Sequence, residues 1–221
     1  MAEVSVSLLN LVDCKEDVTH EFYDLEVAKT DYFHIDVMDG KFVEKNTAEK
    51  MKEFSLTLSH ITNIGLDVHF MVENNEEFID EYVDLEPEYI SFHLESSKTH
   101  DRTMELINRI KQNGIKAGIA INPATPIEDI KEYLPYVHLI LIMTVVAGKG
   151  GQKFMLETLD KIKELRKYIN ENNLNVVIEV DGGINYETAE LTKEAGADML
   201  VCGTFLLNSE NRKETIKKLK E

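Results

Sequence analysis

Two short segments place an aspartate where an apolar run stops and a glycine-marked turn begins: His34-Ile35-Asp36-Val37-Met38-Asp39-Gly40 and Glu179-Val180-Asp181-Gly182-Gly183-Ile184. Between them His69 closes a third apolar run. His34, Asp36, His69 and Asp181 form an N/O donor set suited to one divalent ion, and the donor types do not choose among Zn, Mn, Fe and Co. Residues 34 and 36 are two apart, so on a strand both side chains share one face, with Ile35 and Val37 on the other. A buried imidazole beside a buried carboxylate is costly unless each is satisfied, and a metal satisfies both. Two carboxylates flanking an ion suit proton abstraction next to a carbonyl. The ion polarises the carbonyl and stabilises an enediolate, one Asp removes a proton from one face, and the other returns it to the opposite face. The outcome is inversion at a carbon α to a ketone, with no organic cofactor.

These side chains converge only if their strands belong to one sheet. Eight short runs read as strands: Val4–Leu9, Tyr32–Val37, Leu66–Phe70, Tyr89–Phe92, Lys116–Ile121, Leu139–Met143, Val176–Val180 and Met199–Cys202. They are nearly continuous in apolar character, as parallel strands covered on both faces would be. Helical periodicity fills most gaps. Leu156–Asn170 carries Leu156, Leu159, Ile162, Leu165 and Ile169 at spacings of three and four, Thr99–Gln112 ends at a capping Asn113-Gly114, and Asn208–Leu219 is a third. The segment after Pro126 is short, and Pro135 stops it. Strand–helix alternation eight times over, with no linker or composition shift, predicts one (β/α)8 TIM barrel over residues 1–221. An open doubly wound sheet usually needs fewer strands and carries a Gly-rich loop after its first strand, where this chain has Leu8-Leu9-Asn10. In a barrel, Ser7, His34, Asp36, His69, His93, Asn122 and Asp181 all fall toward the catalytic ends of strands.

Glycines argue for an anion site. Ala147-Gly148-Lys149-Gly150-Gly151-Gln152 follows the sixth strand, Gly182-Gly183 the seventh and Gly203-Thr204 the eighth. Glycine lets backbone N–H groups approach an anion, and loops after the last strands are the usual phosphate position in this barrel. Lys149 could add a charge. Met38, Met71 and Met143, at or just beyond strand ends, could form an apolar collar that limits water near the metal. The formal net charge of −17 argues against nucleic acid and anionic membranes as partners. No run approaches membrane-spanning length, and the N-terminal residues lack the pattern of a secretory signal. With only Cys14 and Cys202, a reduced, cytoplasmic protein is the simplest expectation. Apolar content of 43% supports a full core.

Motifs in order along the chain sharpen this reading: Ser7-Leu8-Leu9, HIDVMDGKFV from His34, HFMV from His69, FHLE from Phe92, INPATP from Ile121, MTV from Met143, GKGGQKF from Gly148, VDGGIN from Val180 and GADMLVCGT from Gly196. At these residues the chain resembles the ribulose-phosphate 3-epimerase family, including its allulose-6-phosphate 3-epimerase branch. The resemblance implies a barrel of the ribulose-phosphate-binding type and an isomerase that epimerises C3 of a ketose phosphate. It implies His34, Asp36, His69 and Asp181 as ligands of one divalent metal, with Asp36 and Asp181 as the proton-transfer pair. It implies Ser7 and His69 as substrate contacts, and Gly148, Lys149, Gly150, Gly151, Gly182, Gly183, Gly203 and Thr204 as phosphate-side contacts. A homo-oligomer, dimer or larger, is also implied.

Two loops depart from the family pattern. After strand 6 a polar residue, Pro, Gly and Phe become Val146, Ala147, Gly148 and Lys149, and after strand 2 Phe-Val-Pro-Asn becomes Phe42-Val43-Glu44-Lys45. Two substrates therefore stand: ribulose 5-phosphate as the default and allulose 6-phosphate as the alternative. A decarboxylase or aldolase on the same barrel would need an Asp-x-Lys-x-x-Asp motif, and Asp36-Val37-Met38-Asp39 has no lysine. A silent phosphosugar-binding barrel would leave the His-Asp-His-Asp set without a purpose.

Overall fold

Nearly every second strand residue is a Val, Ile, Leu or Phe that points outward, and these rows, completed by Ala117 and Cys202, knit the sheet to its helices. Val4, Val6, Phe33, Ile35, Val37, Val68, Phe70, Ile90, Phe92, Ile119, Ile140, Ile178 and Leu200 all lie in one buried apolar shell. The computed structural model describes all 221 residues. Its strands are β1 Glu3–Ser7, β2 Tyr32–Met38, β3 Gly65–Met71, β4 Tyr89–His93, β5 Lys116–Ile121, β6 Leu139–Met143, β7 Val177–Asp181 and β8 Met199–Cys202. They pair in parallel in chain order, and β8 closes on β1. The helices are α1 Thr19–Val27, α2 Ala48–Ile61, α3 Asn75–Tyr82, α4 Leu94–Ser97, α5 His100–Gln112, α6 Thr158–Glu171, α7 Tyr186–Ala195, α8 Thr204–Leu207 and α9 Arg212–Lys220. This is the (β/α)8 barrel that the alternation predicts.

Three expectations change in detail. The first strand stops at Ser7, and Leu9 lies in a 3-10 turn over Leu9–Leu11. No α-helix joins β5 to β6: Pro126 and Pro135 leave too little chain between them, and only a 3-10 turn, Ile127–Asp129, forms there. Buried Ile127, Ile130, Tyr133 and Leu134 cover the sheet instead. The strands are also not apolar on both faces, because several turn polar residues to the axis.

The register and strand tilt stack the axial side chains in layers drawn from alternate strands. Tyr32, Tyr89, Leu139 and Met199 plug the bottom, with the two tyrosine rings edge to face at 5.7 Å. Above them come Ser5, Asp67, Gly118 and Glu179, then His34, Ser91, Leu141 and Val201. Ser7, His69, Ala120 and Asp181 follow, and Asp36, His93, Met143 and Gly203 line the top. Gly118 supplies no side chain to its layer, and a Cβ there would lie 2.9 Å from Leu139 Cδ2.

Outside the barrel, Phe22 of α1 packs edge to face on Phe54 at 5.3 Å and on Phe33 at 6.2 Å. Phe22→Ala is expected to cost about 3–5 kcal/mol in urea unfolding, leaving the axial layers in place.

Candidate active site

β2 delivers His34 and Asp36 to the axis, β3 delivers Asp67 and His69, and β7 delivers Glu179 and Asp181, each pair two residues apart on one face. The donor atoms of His34, Asp36, His69 and Asp181 all lie within 4.8 Å of one another. Asp36 Oδ1 stands 3.4 Å from His34 Nε2 and 3.4 Å from His69 Nδ1. Both of these ring nitrogens are buried without a hydrogen-bond partner. Two orphaned nitrogens and two carboxylates facing one point suit a divalent ion, so the residues present fit the metal that their types suggest.

The partners around this set orient it. His34 Nδ1 lies 2.6 Å from Asp67 Oδ2, so this nitrogen carries the proton and Nε2 faces the site. Asp67 also accepts from Ser5 Oγ at 2.8 Å. Glu179 lies beside Asp67, and burial together with the Asp67 charge raises its pKa well above the usual carboxylate range. Burial thus favours its protonated form beside Asp67. His34, Asp67 and Glu179 also lie close enough together to suggest an ion site; His34 Nδ1 is engaged by Asp67 Oδ2, and we read the group as the support behind His34. Ser7 Oγ donates to Asp36 Oδ2 at 2.7 Å. His69 Nε2 meets His93 Nε2 at 3.0 Å, and His93 Nδ1 meets Glu95 Oε2 at 3.0 Å.

The two acid–base candidates have opposite tendencies. Burial alone would raise Asp36, but His34 and His69 hold it far below the usual range. Burial, followed by the charge of Asp36, pushes Asp181 up to about 7. His69 is held down to about 4, by burial first. For His34 burial works downward, and the Asp67 and Asp36 charges overcome it and raise the pKa well above 6.5.

Above this floor lies a cavity of about 630 Å³. Ser7, Asp36 and Asp181 reach it, as do Gly148, Lys149, Gly150, Gly151, Gly182, Gly183, Gly203 and Thr204. The structure thus gathers all the glycine-rich turns onto one wall. Met38, Met71 and Met143 line it too, as the collar reading expects. His34 and His69 are fully buried beneath the wall and do not line it. Asn122 stays outside it as well; its N–H turns away to Glu95 Oε1 at 2.8 Å. Gly182 and Gly183 have φ of +121° and +68°, and a Cβ on Gly183 would sit 2.5 Å from Phe154 N. Only glycine fits there. Lys149 is the one Lys, Arg or His side chain on the cavity wall, and its ammonium lies 3.7 Å from Glu44 of the loop after β2.

Sequence reasoning missed Asp67, Glu179 and Ser5. The i, i+2 alternation that identifies His34 with Asp36 applies equally to Asp67 with His69 and Glu179 with Asp181. It would have found them.

Comparison with known proteins agrees with this geometry. A family model described as "Ribulose-phosphate 3 epimerase family" matches residues 3–207. A ribulose-phosphate 3-epimerase of Methanocaldococcus jannaschii is 40% identical over 206 residues, 91% of this chain and 83% of its own. One from Bacillus subtilis is 38% identical, covering 91% of each chain. Among solved structures, KGPDC from Streptococcus mutans superposes with a TM-score of 0.69 at 9% identity, over 99% of this chain and 95% of its own, and so shares the fold.

A divalent ion should raise the melting temperature in a concentration-dependent way, by about 2.7 kcal/mol of stabilisation at one hundred times Kd. His34→Ala and His69→Ala should each abolish that shift in thermal melts with Co²⁺ or Mn²⁺. Because protons compete for His34 and Asp181, calorimetric affinity should fall as pH drops from 8 to 6.

Proposed function

Because the chain belongs to the ribulose-phosphate 3-epimerase family, we propose that it inverts C3 of a ketose phosphate and interconverts D-ribulose 5-phosphate and D-xylulose 5-phosphate. The observation that carries this reading is the pairing of Asp36 and Asp181. They rise from β2 and β7, three strands apart around the ring, to the floor of the same cavity. His34 and His69 hold Asp36 ionised, while burial and the Asp36 charge raise Asp181 to about 7, so the two carboxylates differ in the way a base and an acid do.

Asp36 takes the C3 proton on one face of the sugar and Asp181 gives a proton back on the other; the reverse reaction exchanges their roles. Ser7 Oγ engages one oxygen of Asp36 and so orients the carboxylate. His34, Asp36, His69 and Asp181 would hold a divalent ion, which would supply electrostatic stabilisation for negative charge developing on the substrate oxygens. Zn, Mn, Fe and Co all suit this donor set. The methionine collar keeps bulk water off the deprotonated sugar.

The phosphate is read onto the glycine wall, where Gly148, Gly150, Gly151, Gly182, Gly183, Gly203 and Thr204 offer backbone N–H groups, and Lys149 is the one cation at hand. His69 acts from beneath the substrate, toward the ion. The loops after β2 and β6, which carry the departures from the family pattern, meet over the cavity, with Gly148 close against Val43 and Lys149 beside Glu44. That junction is the observation favouring the alternative, a 3-epimerase acting on D-allulose 6-phosphate. The family reading also carries a cytoplasmic, homo-oligomeric protein. No helix is long and apolar enough to cross a membrane.

In heavy water the product should take up deuterium at C3, and chelation should stop turnover. Asp181→Asn should lower kcat by about 10²–10⁴; full epimerisation by this variant would refute the two-base assignment. Comparing kcat/KM for ribulose 5-phosphate and allulose 6-phosphate assigns the sugar, with the pentose expected to be the better substrate.

A further inference from the structure

The chain of contacts that runs from His69 away from the cavity has a direction. We propose that Glu95, acting through His93, dictates which ring nitrogen of His69 is bare and so makes Glu95 a positioning residue for the metal. This rests on the metal reading of His69 above.

The direction follows from donor accounting. The β5 loop is clamped from outside by Lys161, whose ammonium donates to the carbonyls of Asn122, Pro123 and Thr125. The loop's own donors point to one carboxylate oxygen: Asn122 N–H lies 2.8 Å from Glu95 Oε1, and the Thr125 hydroxyl donates to the same atom. That leaves Glu95 Oε2 for His93 Nδ1, 3.0 Å away. A carboxylate only accepts, so His93 Nδ1 carries a hydrogen. In a neutral ring its Nε2 is then bare and must accept. The atom facing it, at 3.0 Å, is His69 Nε2, which therefore carries the hydrogen. His69 Nδ1 is left with its lone pair directed at Asp36 and His34, where it has no hydrogen-bond partner.

Each junction from the β5 loop to His69 now pairs a donor with an acceptor, and the opposite neutral arrangement would set a bare His93 nitrogen against Glu95; the bare His69 Nδ1 faces Asp36 Oδ1 at 3.4 Å, where a shared cation would relieve the contact. Both rings are fully buried, and the Phe42 ring lies 4.9 Å from that of His93, so water does not compete. His34 reaches the same end by a shorter route, through Asp67 on its Nδ1. The two histidines thus present opposite nitrogens, Nε2 from His34 and Nδ1 from His69, each selected by a carboxylate behind it.

Glu95→Gln tests this because the swap is nearly isosteric and reverses the direction. The Asn122 N–H holds the single amide oxygen, so the amide NH₂ faces His93. His93 Nδ1 then becomes bare, its Nε2 donates, and His69 carries its hydrogen on Nδ1, against the ion. In metal-free protein labelled with ¹⁵N-histidine, NMR should find His69 Nδ1 bare in the wild type and protonated in Glu95→Gln. Titration with Zn²⁺ should give a Kd raised about 10–100-fold, with the far-UV dichroism unchanged. An unchanged nitrogen pattern in the variant, or a Kd within twofold of wild type, overturns the proposal. If the variant does not fold, the wild-type pattern decides: a protonated His69 Nδ1 overturns it. Failure of the wild type to bind Zn²⁺ would instead count against the metal reading, while the nitrogen pattern would still judge the relay.

Discussion

A closed parallel barrel buries both faces of every strand, so each polar group that points to the axis must find its partner inside. The rest of this structure follows from that constraint. Five strands, β1, β2, β3, β4 and β7, send Ser, His, Asp or Glu inward, while β6 and β8 send Leu, Met and Val. The interior is therefore divided, polar on one side and apolar on the other. Within the polar side, Ser5 and His34 both bond Asp67 below the site, with Glu179 beside it. Two of the atoms left over, His34 Nε2 and His69 Nδ1, face Asp36. A ligand set arises here as the remainder of a hydrogen-bonding problem solved one layer lower.

The eight strands, the four metal-ligand candidates and the glycine wall were legible in the sequence, because each rests on a local pattern. His34 and Asp36 stand out through their spacing, and Gly182-Gly183 through a turn that only glycine completes. Asp67 and Glu179 were hidden by the apolar residues around them, which made their strands read as continuous cores. The missing helix between β5 and β6 was half visible in its two prolines, yet the periodic count of eight units overrode them. Glu95 was out of reach. Its role depends on α4 turning back so that one carboxylate meets both His93 and the β5 loop, which no periodicity records.

Strands and loops divide the work. Every donor of the proposed proton transfer sits on a strand whose neighbours on both sides hold it in register. The rim is different in kind. Lys149 pairs with Glu44 and Lys45 with Asp13, and three of these four side chains are mostly exposed. Such pairs contribute less than about 1 kcal/mol each. Substitutions there alter the mouth without disturbing the floor, which is how a chain can keep its chemistry while its loops leave the family pattern.

The polar layer just above the tyrosine plug bears on the order of folding. Ser5, Asp67 and Glu179 come from the first, third and seventh strands, so the group is complete only when the ring has closed. A half-barrel of β1–β4 would carry His34 and Asp67 without Glu179, and one of β5–β8 would carry Glu179 without His34 or Asp67 beside it. Neither half could bury its own axis cheaply. The polar side of the interior thus penalises partly assembled rings, and it makes ring closure, rather than any single βα unit, the cooperative step.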